Sequence, residues 1–255
     1  MEIGRTIGRA FSTIGSNPGV TLGIAFLFSA VPSTILNLLT QRLRPTALDT
    51  DSMVAWLSAT IVTALITMLL QLITQGALMR ATVRAAAGDR ANFADSAMTG
   101  LRAALPLLGL GILSAIAIML GLVLLIVPGV MLWVLWAVAG PALVAERLGP
   151  IKAMSRSAAL TKGARWKVFA VQLLLLVFGW IVGAALTSVL MTVYGGLQPM
   201  AQAMSGGLPV TWIVLNALVT TVVSAISAIV LASLYIELRE WKEGPAIDHL
   251  AQVFA

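Results

Sequence analysis

Long stretches without a charged residue divide the sequence into apolar segments joined by short polar ones. Four such stretches occur, at Ala10–Gln41, Ser52–Met79, Ala103–Ala145 and Val168–Ile236. About 20 apolar residues in a helix cross the roughly 30 Å of hydrocarbon in a bilayer. The first two stretches hold one span each. The last two hold two spans each, because Pro128-Gly129 interrupts the third and a Gly- and Pro-containing segment at 195–209 interrupts the fourth. The pattern predicts one integral membrane domain over residues 1–255, with spans near 20–39, 53–79, 105–127, 130–145, 168–194 and 211–236.

The predicted fourth span is short. At 1.5 Å per residue a helix over 130–145 covers about 24 Å. Pro128 suits the first turn of this helix, because N–H groups there make no hydrogen bond within the helix and the lack of one in proline costs nothing. The sequence therefore leaves open whether this helix crosses the bilayer completely.

The charged segments that precede each pair of spans are amphipathic. Apolar residues recur at helical spacing in three of them: Ile3, Ile7, Ala10 and Ile14; Phe93, Ala97 and Leu101; Ile151, Met154 and Ala158. Helices of this kind lie in the headgroup layer of a membrane. The fold class predicted is all-α, with six transmembrane helices arranged as three hairpins and a short interfacial helix before each.

The distribution of cations sets an orientation. The segments at 1–9, 80–102, 146–167 and 237–255 carry 14 of the 16 Lys and Arg residues, and only Arg42 and Arg44 lie on the other side. Short cytoplasmic loops of membrane proteins are rich in Lys and Arg. The sequence therefore predicts that both termini are cytoplasmic and that the third and fourth spans leave and return on the same side.

Composition supports the membrane assignment and excludes several kinds of catalytic and metal site. The chain is 59% hydrophobic and 10% charged, where soluble domains carry about 25% charged residues. It has no cysteine and one histidine, His249 in the tail, so thiolate and clustered metal sites are excluded. No ionisable residue lies in a span to activate a serine. We expect no catalytic residue, cofactor or metal, and hence no enzyme; no motif indicates nucleic-acid binding.

The densest charge cluster is the first candidate site. Its members are Glu146, Arg147, Lys152, Arg156, Lys162, Arg165 and Lys167. Anionic lipid attracts such a cytoplasmic segment by about 1 kcal/mol per cation. The plainer interpretation is a loop that only sets topology. The functional interpretation is a surface for phospholipid headgroups or a partner protein.

Uncharged polar residues within the spans form a second candidate site, comprising Asn37, Gln71, Gln75 and Asn216. Hydrogen bonds between helices are the plainer explanation, each contributing roughly 1 kcal/mol. The alternative is a transporter or channel component for a small solute or lipid. A shared cavity lined by these residues would favour that alternative, and tight pairing between helices would oppose it.

A third pattern carries a family resemblance. It comprises Pro128-Gly129, Glu146, Gly149, Ala153, Arg156-Ser157, Leu160, Gly163 and Trp166, followed by Tyr235, Leu238-Arg239 and Lys242-Glu243-Gly244. The chain resembles the membrane domain attached to some bacterial glycerophosphodiester phosphodiesterases and related stand-alone inner-membrane proteins. In that family the metal-dependent active site lies in a separate barrel domain, which this sequence lacks. The resemblance implies a bacterial inner-membrane protein near phospholipids, and it does not imply hydrolysis.

These observations lead to one hypothesis. The chain is expected to be a non-enzymatic, multi-pass inner-membrane protein whose basic cytoplasmic face associates with anionic lipid. A protein partner or a second copy of the chain is the alternative occupant of that face. An intramembrane enzyme using Glu146 is the least favoured interpretation, and turnover of a phospholipid would be needed to support it.

Overall fold

The computed structural model describes residues 3–16, 18–45, 50–87, 92–205 and 208–244, and all regular structure within them is helical. The all-α prediction is therefore confirmed for the described residues. In chain order the helices are α1 (Ile3–Ser16), α2 (Pro18–Ala25), α3 (Val31–Arg42), α4 (Thr50–Ala86), α5 (Phe93–Leu124), α6 (Ile126–Leu135), α7 (Ala139–Glu146), α8 (Pro150–Thr161), α9 (Arg165–Tyr194), α10 (Leu197–Ser205) and α11 (Val210–Glu243).

Six helical stretches are long and apolar enough to cross a membrane, which fits a multi-pass membrane protein. They are Pro18–Arg42, Thr50–Ala86, Phe93–Leu124, Ile126–Glu146, Arg165–Tyr194 and Val210–Glu243. Most extend beyond the predicted spans, because a helix continues into the polar boundary after the apolar run has ended.

The first of these stretches contains a π-helical segment. Residues Phe26–Ala30 join α2 to α3, and the N–H of Val31 bonds to the carbonyl of Phe26. Pro32 follows at the first turn of α3. Because proline has no N–H, it cannot continue the regular ladder, and the wider turn before it accommodates this gap.

The second predicted amphipathic helix is not a separate element. Phe93, Ala97 and Leu101 form the first turns of α5, which continues to Leu124. The Asn92 side chain caps its start by accepting a hydrogen bond from the N–H of Ala94 at 2.9 Å. Nothing between Leu101 and Pro106 breaks a helix, so the polar segment and the span fuse.

Two glycines hold α5 close to α4. A Cβ atom on Gly100 would lie 2.3 Å from the carbonyl oxygen of Ile73, and one on Gly76 would lie 3.1 Å from the Cα of Gly100. Small residues permit such close approach of helix backbones in lipid. The contact fixes the first half of α5 against the second half of α4.

The predicted helix over 130–145 is two helices, α6 and α7, with a break at Trp136–Val138. The predicted interruption at Pro128-Gly129 is wrong in position, because the turn from α5 lies at Leu125 and Pro128 falls within the first turn of α6. Ser157 of α8 stabilises the break by donating to the carbonyl of Leu135 at 2.7 Å and accepting from the N–H of Val138 at 3.3 Å. This capping depends on tertiary contact, which explains why the local pattern did not predict the break.

Helix α11 runs through the core and distinguishes two ends of the bundle. No residue from Val223 to Leu238 is exposed, because α1, α4, α7, α8 and α9 pack around this part. We call 223–243 of α11, with α1, α7 and α8, the closed end. By contrast, no residue of α4 from Thr50 to Ile73 is buried. We call this part of α4, with α3 and 210–222 of α11, the open end.

Candidate functional site

The chain between α7 and α11 brings two distant parts of the sequence together. Helix α7 ends at Glu146, and Arg147 takes the left-handed conformation with φ 51°, which reverses the chain towards α8. Helix α8 then carries Arg156 past the end of α11, where Tyr235, Arg239 and Glu243 recur every four residues. This spacing places the three side chains on one face of α11.

These side chains form a connected ion-pair network. The Nε of Arg156 donates to both carboxylate oxygens of Glu146, at 2.8 and 3.0 Å. The Tyr235 hydroxyl donates to Glu146 Oε1 at 2.7 Å. A second Arg156 nitrogen lies 2.6 Å from Glu243 Oε1, and Arg239 Nε donates to Glu243 Oε2 at 3.1 Å. The network ties α7 and α8 to α11.

Hydrogen bonds within the network stabilise the charged form of Arg156. Burial by itself lowers the pKa of the Arg156 guanidinium, but the hydrogen bonds to Glu146 and Glu243 outweigh it and raise that pKa above its ordinary value. Lys242 adds a hydrogen bond to the carbonyl of Ala159 in α8. Helix α1 approaches the same end of α11, where Arg9 pairs with Glu240 at 3.0 Å. The closed end is therefore locked by polar contacts as well as by packing.

The structure divides the predicted charge cluster into two groups. Glu146 and Arg156 are engaged with each other and with α11. The others are exposed: Arg147, Lys152, Lys162, Arg165 and Lys167. Lys167 has an interaction within the structure, and among the described residues no ion pair involves the remaining four. No acidic residue occurs between Arg147 and Ile236.

Large apolar side chains accompany these exposed cations. Trp166 is 85% exposed beside Lys162 and Arg165 in sequence, and Ile151 is 74% exposed next to Lys152. The side of α8 that packs against the protein consists of Ala153, Ser157 and Leu160. This buried face is rotated about the helix axis from the predicted apolar stripe of Ile151, Met154 and Ala158. Arg147, Lys152, Lys162 and Arg165, with Ile151 and Trp166, are called the basic surface below.

The predicted intramembrane polar patch lines two neighbouring cavities at the open end. Between α3 and α4 lies an open groove of about 610 Å³, lined by Asn37, Gln71 and Gln75 among others. A smaller cavity of about 220 Å³ lies between α3, α4 and α11 and is lined by Asn37, Gln71 and Asn216. Asn37, Thr67 and Gln71 belong to both. Each of the four predicted residues lines at least one of the two cavities, but Gln75 lines only the larger and Asn216 only the smaller, so they do not share the single cavity that the transport hypothesis specified.

Sequence reasoning missed three members of the network as site residues. Tyr235, Arg239 and Glu243 entered only through the resemblance, although their spacing of four already placed them on one helical face. A usable signal was the lack of acids from Arg147 to Ile236, which leaves Glu146 and the acids after Ile236 as the nearest partners for Arg156.

Comparison with known proteins adds a family without a known activity. No curated protein and no solved structure matches the chain. The resemblance to the membrane domain of glycerophosphodiester phosphodiesterases is unsupported by these comparisons. A family model described as a domain of unknown function, DUF7847, matches residues 1–238. Since the match covers most of the 255 residues, the chain belongs to the DUF7847 family.

Proposed function

We propose that this protein is a non-enzymatic, multi-pass protein of the bacterial inner membrane that binds anionic phospholipid headgroups through its basic surface. The observation that carries the proposal is the separation of the cations into paired and exposed groups. Arg156 is paired within the internal network, whereas Arg147, Lys152, Lys162 and Arg165 are exposed. No acidic residue follows Arg147 until after Ile236, and Glu146 before it is already paired with Arg156.

The apolar members of the basic surface fit the same role. An exposed tryptophan next to cations is the composition of a membrane interface, where the ring lies at headgroup level and the charges reach the phosphates. Trp166 lies in the first turn of α9, and no charged residue follows Lys167 in this helix, so its ring lies where the hydrocarbon boundary is expected. The surface would thus contact lipid through both charge and apolar area.

A native mass spectrometric titration of the delipidated full chain tests the proposal. Phosphatidylglycerol and phosphatidylcholine with the same acyl chains are compared for wild type and for the double variant Arg147→Gln/Arg165→Gln. At about 1 kcal/mol per cation, the double variant should lose roughly tenfold or more in phosphatidylglycerol affinity. Its affinity for phosphatidylcholine should stay unchanged.

A matched control removes two exposed arginines elsewhere. Arg42 and Arg102 are exposed and lie outside the basic surface, so Arg42→Gln/Arg102→Gln lowers the net charge equally. The control should keep wild-type selectivity to within about threefold. An equal loss in both variants would show a nonspecific charge effect, and no loss in either would leave the basic surface to a partner protein.

The proposed orientation, with both termini cytoplasmic, has its own test. The chain contains no cysteine, so a single introduced thiol gives an unambiguous label. In spheroplasts a membrane-impermeant maleimide should label Leu43→Cys directly and should label Ser155→Cys only after permeabilisation. Both positions are exposed in the structure. The reverse pattern would contradict the orientation given by the 14-to-2 distribution of cations.

A further inference from the structure

The groove between α3 and α4 contains a continuous polar stripe. Thr60, Thr63, Thr67, Gln71 and Gln75 line it at spacings of three and four residues, which places them on one face of α4. At 1.5 Å per residue the stripe extends about 22 Å, most of the roughly 30 Å of hydrocarbon. Helix contacts alone do not require a polar face of this length on a helix that has no buried residue from Thr50 to Ile73.

Several polar atoms of the stripe are left available. Thr60 bonds to the carbonyl four residues earlier, as isolated threonines in helices do. Thr63 and Thr40 bond to each other at 2.6 Å across the groove. The hydroxyl of Thr67 is buried with no hydrogen-bond partner among the described residues, and Thr67 lines both cavities. A buried hydroxyl without a partner costs free energy that a ligand would recover.

The chemistry of the lining limits the ligand. It offers hydroxyls and carboxamides, each able to donate and accept, and none of the described residues that line it is charged. Asn37 already donates to the carbonyl of Ser33 at 2.7 Å, so its own carbonyl oxygen is left to accept. A bare phosphate or carboxylate would lack a counter-charge here, and a purely apolar ligand would leave the amides unsatisfied. Sugar or glycerol hydroxyls match both requirements.

The position of the groove indicates its source. It opens beside Ile61, Leu65 and Met68, which are 60%, 57% and 44% exposed on the same half of α4. In a membrane these side chains contact acyl chains, so the groove is reached from the bilayer. We propose that the groove binds the uncharged, hydroxyl-rich headgroup of a membrane lipid, whose acyl chains lie along the apolar faces of α4.

The test uses the full chain in an amine oxide detergent, because glycoside detergents carry the same hydroxyls. Native mass spectrometry compares the binding affinities of two lipids built on dioleoylglycerol. One carries a glucosyl headgroup, and in the other the free hydroxyl is blocked as a methyl ether. Wild type should prefer the glucosyl lipid by about tenfold, as two hydrogen bonds would give. The variant Asn37→Leu/Gln71→Leu should reduce the preference to about twofold, and it should fold because leucine in the groove buries no unpaired polar atom.

The control variant Thr187→Val/Ser188→Ala changes polar residues of α9 that bond only to their own helix, through the carbonyls of Gly183 and Ala184. It should retain the full preference. No preference in wild type, or an equal preference in the groove variant, would overturn the proposal. Displacement of the lipid by methyl glucoside at equal concentration would show a site for a free polyol and would overturn the lipid assignment. The probe is uncharged, so its outcome is independent of anionic-lipid binding at the basic surface.

Discussion

Polar side chains have different surroundings at the two ends of the bundle. At the closed end, Glu146, Arg156 and Tyr235 are bonded to one another, and Tyr235 is 1% exposed. At the open end, Gln71 and Thr67 face cavities, and the hydroxyl of Thr67 lacks a partner among the described residues. Saturated polar groups hold helices in one arrangement, whereas unsaturated ones are available to a ligand. We expect the bonded network to stabilise the closed end, and the cavities of the open end to offer a second binding site besides the basic surface.

The largest effect is expected at the close contact between α4 and α5. In Gly100→Ala the new methyl group would meet the backbone of α4, 2.3 Å from the carbonyl oxygen of Ile73. Because neither backbone can move alone, we expect a loss of about 3 kcal/mol in the free energy of unfolding. Reversible unfolding in mixed detergent micelles measures it. Gly111→Ala on the same helix meets nothing within 4 Å and should be neutral or stabilising.

Removal of the central cation should have the next largest effect. Arg156→Met leaves the carboxylates of Glu146 and Glu243 without their shared partner. Because these two side chains are only about a quarter and two-fifths exposed, water screens their charges only partly. We expect about 2 kcal/mol of destabilisation in the same assay. Lys152→Met on the same helix removes an exposed cation and should change stability by less than about 0.5 kcal/mol. Equal losses in the two variants would contradict the network as the lock between α8 and α11.

A smaller loss is expected where α8 caps the break in the fourth candidate span. Ser157→Ala removes the hydroxyl that bonds Leu135 and Val138, so a buried carbonyl and a buried N–H lose a partner. Thr161 also approaches the Leu135 carbonyl, at 3.4 Å, and limits the damage. We expect about 1 kcal/mol, measured by unfolding, with faster hydrogen exchange at 136–138. The exposed Ser155→Ala serves as the control and should leave both unchanged.

The smallest effect on stability is expected at the open end. Gln71→Leu exchanges a cavity-lining amide for an apolar side chain, and the change in unfolding free energy should stay within about 0.5 kcal/mol. A loss comparable with that of Arg156→Met would show that Gln71 is a packing residue. The comparison between the two ends would then fail, and with it the reason for placing a ligand in the groove.

Some boundaries could be predicted from local sequence and others could not. The start of α9 beside Trp166 and the position of Pro128 in the first turn of α6 follow from residue chemistry over a few positions. The fusion of Phe93–Leu101 with the third span and the break at Trp136–Val138 do not. The break depends on a contact with Ser157 of another helix. The fusion has no helix-breaking residue between Leu101 and Pro106 that would mark a boundary in the sequence.

The candidate sites show the same division. Asn37, Gln71, Gln75 and Asn216 could be chosen from sequence because polar residues are rare in apolar runs, but only the packing of α3, α4 and α11 brings them to adjoining cavities. Likewise, the charge cluster was visible as a run of cations. Which cation is paired could be read only after α8 and α11 came together, since Arg156 and Glu243 are far apart in the chain.

The sequence by itself determined that this is an all-helical chain with six segments apolar enough for a bilayer. The length of an apolar run and the positions of the charges are local properties, and they decide whether a segment is more stable in hydrocarbon or in water. The tertiary structure decided which polar groups neutralise one another and which are left for a ligand. The pairing depends on distances between helices that are remote in sequence. The free energy of a polar contact is set by distance and burial, and neither can be derived from one segment alone.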